Sequence, residues 1–259
     1  MTTKKVVETK ILKLNELAKG IYEIVLHAPE ITSEAISGQF VNLYTNDKSL
    51  LLPRPISICD VNGDELRLVF GVVGKGTLAF SKMNVGETLR VSSPLGNGYD
   101  LSRIDGDVTL VGGGIGVPPM LLLAKKLKEK GIEAKIVLGF RDESFLVNDF
   151  KALGLDVVVC TDSGREGYHG NTVAYLRENN INSDIYCACG PKPMLKFLSK
   201  YAHECGKFVY LSMEERMGCG YGACVGCVID IYDENHEVKR KKVCKDGPVF
   251  DSREVVWDE

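Results

Sequence analysis

Short runs in which apolar and polar residues alternate fill the chain from Val6 to about Pro94, among them Ile21–Leu26, Gln39–Tyr44, Leu66–Val72 and Thr88–Val91. Each has strand length and the period of two of a strand with one buried face. Pro29, Gly38, Asn62-Gly63-Asp64 and Gly86 separate them as turn residues do. The pattern predicts a small antiparallel β-barrel, interrupted by one helix over Thr77–Met83.

After Pro94-Leu95-Gly96-Asn97-Gly98 the rhythm changes. Strand-like runs at Asp107–Val111, Ala134–Phe140, Asp156–Cys160 and Asp184–Cys189 alternate with helical stretches at Pro118–Lys130, Thr172–Asn179 and Pro193–Cys205. Such alternation calls for a parallel sheet flanked by helices, with ligands received beyond the C-terminal ends of the strands. From about Ser212 the pattern changes again, to a Gly/Cys loop, a hairpin-like segment around Asp233-Glu234-Asn235 and a last cysteine before Gly247-Pro248-Val249-Phe250. The expected fold class is therefore β-barrel plus α/β. An antiparallel barrel occupies 1–100, a parallel-sheet nucleotide-binding domain 101–211 and a cysteine-bearing segment 212–259. There is no internal repeat or low-complexity linker, so the three parts are expected to pack together.

The length of 259 residues fits two modest domains and an appendage. The 32 basic and 35 acidic residues are spread along the chain, which leaves no basic footprint for nucleic acid. The one basic run, Lys239-Arg240-Lys241-Lys242, lies between acidic stretches and reads as a solvated strand or turn. No apolar stretch reaches the roughly 18 to 20 residues that span a bilayer, and Met1–Leu17 lacks the apolar core of a signal peptide. A cytoplasmic protein without a membrane association is expected.

Nine cysteines, an odd number, disfavour a disulfide framework and favour metal or redox chemistry. Cys59, Cys160, Cys187, Cys189 and Cys205 sit among apolar runs, where a small buried hydrophobe is the usual role. The other four form Cys219-Gly-Tyr-Gly-Ala-Cys224-Val-Gly-Cys227 followed by Cys244. Four residues and then two between cysteines, with a distant fourth, is the plant-type [2Fe-2S] spacing. A thiolate-ligated cluster gains negative charge on reduction, so backbone N–H groups must turn towards its sulfurs. Gly218, Gly220, Gly222 and Gly226 permit that. Structural zinc also accepts four thiolates, although its sites more often show two short cysteine pairs.

Three weaker patterns accompany this one. Pro53-Arg54-Pro55-Ile56-Ser57 leads into a barrel strand, and Gly74-Lys75-Gly76-Thr77 opens a helix. A guanidinium and free N–H groups could together clamp a pyrophosphate, while each alone is also an ordinary turn or helix start. Gly112-Gly113-Gly114-Ile115-Gly116-Val117-Pro118-Pro119 ends the first parallel strand where phosphate-bearing ligands approach the backbone, or is a plain strand-to-helix turn. Cys189-Gly190-Pro191-Lys192-Pro193-Met194 ends a later strand, where a nicotinamide could lie against a small thiol, or where a helix starts beside a buried cysteine.

In this order the motifs resemble the ferredoxin-NADP⁺ reductase superfamily. Met213-Glu-Glu-Arg-Met-Gly-Cys through Cys244-Lys-Asp-Gly-Pro-Val-Phe resembles the electron-transfer subunits of type B, NAD-dependent dihydroorotate dehydrogenases. The resemblance covers essentially the whole chain. It implies FAD held by Arg54, Pro55, Ile56 and Ser57, with Lys75, Gly76 and Thr77 completing its phosphate site. Gly113, Gly114, Gly116, Cys189 and Gly190 would receive NAD, and Ser57 and Cys189 would flank the reacting rings as catalytic residues. Cys219, Cys224, Cys227 and Cys244 would ligate [2Fe-2S]. Asp162, ending the third parallel strand, would repel a 2′-phosphate and so select NAD over NADP.

Electrons would then run from a partner through the cluster and FAD to NAD⁺ in pyrimidine biosynthesis. A dihydroorotate-oxidising barrel needs about 250 residues of its own. The resemblance therefore implies a separate FMN-bearing catalytic subunit, in a heterotetramer with two subunits of each kind. Similar subunits serve NADH-dependent ferredoxin:NADP⁺ oxidoreductases and sulfide dehydrogenases, some with a carboxylate among the cluster ligands. A zinc-stabilised binding module is the rival from another class.

Overall fold

In the computed structural model, which describes residues 4–257, the alternating runs close into a barrel. Its strands are β1 (Val6–Ala18), β2 (Ile21–His27), β3 (Phe40–Tyr44), β4 (Arg54–Asn62), β5 (Glu65–Gly71) and β6 (Thr88–Ser92). They pair antiparallel in the order β1-β2-β5-β4-β3-β6. A short helix α1 (Pro29–Thr32) follows β2, and α2 (Lys75–Ser81) follows β5. Ile11, Ile24, Val41, Leu68 and Val91 point inward and are fully buried. Phe80 of α2 closes the barrel edge-on against Phe70, with ring centroids 6.0 Å apart. Burial of each such side chain stabilises the fold by about 1.5 to 3 kcal/mol.

Three details of the barrel depart from the sequence expectation, the first being helix α1 where Pro29 reads as a turn residue. The stretch before Leu17, not expected as a strand, is the longest one: β1 spans 13 residues. Its register slips between Ile11 and Lys13 and again between Glu16 and Ala18. Each slip inserts a residue and flips the inward face, which breaks the period of two in the sequence. Helix α2 also begins at Lys75 and ends at Ser81, two residues earlier than Thr77–Met83 at either end.

The second part is a parallel sheet of β7 (Val108–Gly113), β8 (Lys135–Phe140), β9 (Val157–Thr161), β10 (Tyr168–His169), β11 (Ile185–Cys189) and β12 (Phe208–Ser212). Helices α3 (Pro118–Glu129), α4 (Val147–Ala152), α5 (Thr172–Glu178) and α6 (Lys192–Glu204) connect them. The order β10-β9-β8-β7-β11-β12 places β7 centrally and reverses direction between β7 and β11. Helix α4 was not expected. It is six residues long, and Leu146 at its start has φ 62° with no side-chain cap, so neither periodicity nor a capping residue marks it.

The last part supplies the hairpin β13 (Val228–Tyr232) and β14 (Val238–Lys242), helix α7 (Val243–Asp246) and strand β15 (Val249–Asp251). Strand β15 pairs antiparallel with β12 through Leu211 and Phe250, so the cysteine segment is woven into the edge of the parallel sheet. The linker after the barrel ties all three parts. Asn97 Nδ2 donates to the Lys245 and Asp246 carbonyls at 3.2 and 3.1 Å. Tyr99 donates its N–H to Ser37 and its hydroxyl to Ala188.

Candidate functional site

The cysteine loop runs between β12 and β13, where glycines let the chain reverse tightly around its own thiols. Gly220 and Gly222 have φ of 76° and 90°, in the left-handed region that glycine adopts without strain. A Cβ on Gly218 would stand 3.4 Å from Cys224 Sγ, so this glycine lies directly under a thiol. The N–H of Cys224 donates to Cys219 Sγ at 3.4 Å. Burial pushes the Cys219 thiol up, but N–H groups of Cys224, Tyr221 and Ala223 outweigh it and bring the group down to about 6. That is the electrostatic setting of a thiolate ligand.

Cys244 comes from α7 and is buried, as is Cys227. Val243 N–H donates to the Cys227 carbonyl at 2.8 Å, which ties the distant cysteine to the loop. Burial first, and the neighbouring Cys227 second, push Cys244 up to about 12. Cys219 thus interacts with Cys224, and Cys244 with Cys227 first and Cys219 more weakly. Among the described residues no three Cys, His, Asp or Glu side chains converge on one ion position. Two pairs of thiols suit a centre with two irons, each taking two thiolates. Lys242 Nζ donates to the Gly222 carbonyl at 2.7 Å and brings a positive charge to the loop.

The flavin-motif residues lie on the barrel beside this loop. β3 carries Phe40, Val41, Asn42 and Leu43 opposite Ser57, Ile56, Pro55 and Arg54 of β4. The Arg54 guanidinium donates to the Leu52 carbonyl and fills the space over Gly76, where a Cβ would fall 2.1 Å from Nε. The two halves of the expected clamp, some twenty residues apart in sequence, are therefore in contact. Thr77 is buried, and its hydroxyl accepts the N–H groups of Val73 and Gly74 at 3.0 and 3.3 Å. It shapes the turn, leaving Arg54, seated over Gly76, and exposed Lys75 to meet an anion. A barrel strand and a glycine turn that bring two cations together fit a dinucleotide pyrophosphate.

The nucleotide motifs meet at the C-terminal edge of the parallel sheet, where Gly112 of β7 stands opposite Cys189 of β11. Here the glycines serve close packing of one motif on the other. A Cβ on Gly116 would lie 2.4 Å from the Cys189 carbonyl, and one on Gly113 2.6 Å from Met194 Sδ. Gly114, with φ 53° and nothing within 4 Å of its would-be Cβ, faces open space. Cys189 is 1 % exposed, and burial pushes its thiol far up, so it presents a neutral wall. Asp162 is exposed just beyond β9 at the same edge, beside the Arg165–Asp142 ion pair of 2.8 Å. The Thr172 hydroxyl at the start of α5 is buried with no hydrogen-bond partner among the described residues. An edge with a glycine turn, a neutral thiol and an exposed carboxylate fits a dinucleotide without a 2′-phosphate.

One residue absent from the sequence expectation joins two of these regions. Asn42 Nδ2 donates to the Cys219 carbonyl at 2.9 Å across a separation of 177 residues. Only its place in a barrel strand is visible in sequence, and nothing there marks it as a contact of the cysteine loop.

Comparisons with known proteins agree with this geometry. Residues 214–256 match the family described as the iron-sulfur cluster binding domain of dihydroorotate dehydrogenase B. The chain is 41 % identical over 252 residues to the dihydroorotate dehydrogenase B (NAD⁺) electron transfer subunit of Bacillus pumilus, covering 95 % of this chain and 96 % of that one. It is 38 % identical over 253 residues to the subunit of that name from Streptococcus mutans, covering 96 % and 97 %. Among solved structures, a chain of an NADH-dependent reduced ferredoxin-NADP oxidoreductase superposes with a TM-score of 0.83 at 32 % identity, covering 96 % of this chain and 90 % of that one.

Proposed function

The chain belongs to the family of dihydroorotate dehydrogenase B electron transfer subunits, and from that we propose that it carries electrons from a catalytic partner subunit through a [2Fe-2S] cluster and FAD to NAD⁺, in pyrimidine biosynthesis. A nicotinamide exchanges two electrons as hydride and the cluster one at a time, and a flavin can do both. The observation that carries the reading is Asn42, which lies opposite Pro55 of the flavin strand and holds Cys219 of the cysteine loop. The two candidate cofactor sites thereby adjoin.

Cys219, Cys224, Cys227 and Cys244 hold the irons. Arg54 and Lys75 neutralise the FAD pyrophosphate over Gly76, Thr77 shapes that turn, and Pro55, Ile56 and Ser57 line the flavin from β4. Gly113, Gly114, Gly116 and Gly190 leave the sheet edge open to NAD. Cys189 and Ser57 border the reacting rings, where a neutral thiol excludes water without competing for the hydride. Asp162 disfavours a 2′-phosphate. In domain terms, 1–100 serves FAD, 101–211 NAD and 212–259 the cluster.

The catalytic partner bears FMN and joins this chain in a heterotetramer of two subunits of each kind, in the cytoplasm. No helix among the described residues is long and apolar enough to cross a membrane. Tyr221 and Val225 project from the cysteine loop, 55 % and 73 % exposed, and supply an apolar surface for docking where electrons enter.

Anaerobic purification with the partner tests the proposal. Iron, acid-labile sulfide, FAD and dihydroorotate-driven NAD⁺ reduction are expected together, and zinc in place of iron and sulfide would refute it. The likeness to the ferredoxin-linked oxidoreductase supports a second reading, with ferredoxin as the exchange partner. A complex that reduces ferredoxin and ignores dihydroorotate would select it.

A further inference from the structure

Asn42 sits in the middle of β3 with 0 % of its surface exposed. Its Nδ2 reaches the Cys219 carbonyl at 2.9 Å, while its Oδ1 is buried without a hydrogen bond among the described residues. A buried acceptor with no partner costs stability, and leucine, with the same heavy-atom branching, would avoid that cost. What leucine would give up is the bond to Cys219. Gly220, with φ 76°, lies against the same amide, where a Cβ would fall 2.5 Å from Nδ2 and 2.6 Å from Oδ1. The peptide between Cys219 and Gly220 is thus held by the barrel, with its carbonyl bound to the Asn42 amide.

That orientation bears on the cluster. With the Cys219 carbonyl engaged by the barrel, the loop beyond it turns so that the Cys224 N–H meets Cys219 Sγ at 3.4 Å. Hydrogen bonds to the sulfurs of an iron–sulfur centre stabilise the added negative charge of the reduced form, and so raise its potential. A released carbonyl could rotate towards the sulfur and present a negative dipole instead.

We propose that Asn42 is a positioning residue for the iron–sulfur loop: by fixing the Cys219 carbonyl against the flavin barrel, it keeps the loop's N–H groups on the cysteine sulfur and holds the cluster's potential up. This rests on the cluster reading given under Proposed function. Asn42 bonds the Cys219 carbonyl and not its thiol, so its effect passes through the Cys219–Gly220 peptide.

The test is a redox titration of the complete protein, anaerobically purified with its partner, monitored by electron paramagnetic resonance. Wild type is compared with Asn42→Leu, which keeps the number and branching of the side-chain heavy atoms, and Asn42→Ser, which removes the same bond with a smaller side chain. Iron, sulfide and FAD contents are expected to match wild type. At a fixed solution potential the ratio of reduced to oxidised cluster should fall about tenfold, equivalent to about 59 mV for a one-electron couple. Loaded variants with the wild-type potential and g-values overturn the inference. So do variants that lose FAD and cluster together, because Asn42 would then serve the fold alone. Wild type without iron and sulfide would instead sink the underlying reading, which separates the two failures.

Discussion

The Arg54 guanidinium lies against the α-carbon of Gly76, so close that a Cβ at position 76 would stand 2.1 Å from Nε and 2.4 Å from Cζ. The missing side chain of Gly76 is the space in which the arginine is positioned. Gly76→Ala should push the guanidinium off its place, and Arg54→Ala should remove it. Charge-assisted hydrogen bonds contribute about 1.5 to 3 kcal/mol each, so either change should weaken FAD binding by about ten- to a hundredfold. Flavin fluorescence titration of the stripped protein measures this, and FAD affinity unchanged in both variants would contradict the site.

Cys219→Ser should abolish iron and acid-labile sulfide incorporation while FAD stays bound, because the flavin residues lie on the barrel. NADH oxidation by an artificial dye should persist. On the proposed route electrons pass through the cluster, so exchange with the catalytic partner should fall by at least about a hundredfold.

Asp162→Ser removes a carboxylate from the nucleotide edge. Two unit charges about 4 Å apart repel by about 1 kcal/mol in water and about 4 kcal/mol at a protein surface. The kcat/KM for NADPH should therefore rise about fivefold or more, with that for NADH little changed. Equal effects on both nucleotides would show that Asp162 does not face the 2′ position.

Cys189 is buried with its thiol far above the ordinary range, so the thiolate is scarce at pH 8. Iodoacetamide should leave it unmodified in the native protein and modify it after unfolding. Mass spectrometry of the labelled peptide reads the result, and rapid native alkylation would mean an open, ionised thiol.

Val225 is 73 % exposed beside Cys224. Val225→Asp should leave iron and FAD contents unchanged, yet weaken the complex with the catalytic subunit by about tenfold or more if the loop lies at the centre of the interface. Surface plasmon resonance between the two subunits checks it.

The Cys219–Cys227 motif was legible because all its parts lie in one short loop, where spacing alone dictates which thiols can approach one another. The parallel strands were legible for a similar reason, since Asp107–Val111 and Ala134–Phe140 are short, largely apolar runs close to the observed β7 and β8. The departures have local causes. β1 hides its strand in two register slips, α4 lacks a cap, and the short strands β12 and β15 are identified only by pairing, β12 with β11 and β15 with β12.

By itself the sequence determined the period of the regular elements, the four-cysteine spacing and the glycine turns, because these depend on neighbours along the chain. Tertiary structure alone decided that Arg54 meets Gly76, that Cys189 backs onto Gly116 and that Asn42 grips Cys219. The physical reason is that periodicity says which face of a strand turns inward but not which distant segment will cover it. That choice is made only when the barrel closes and the sheet edge is filled, and the contacts that join the three candidate sites are all of this kind.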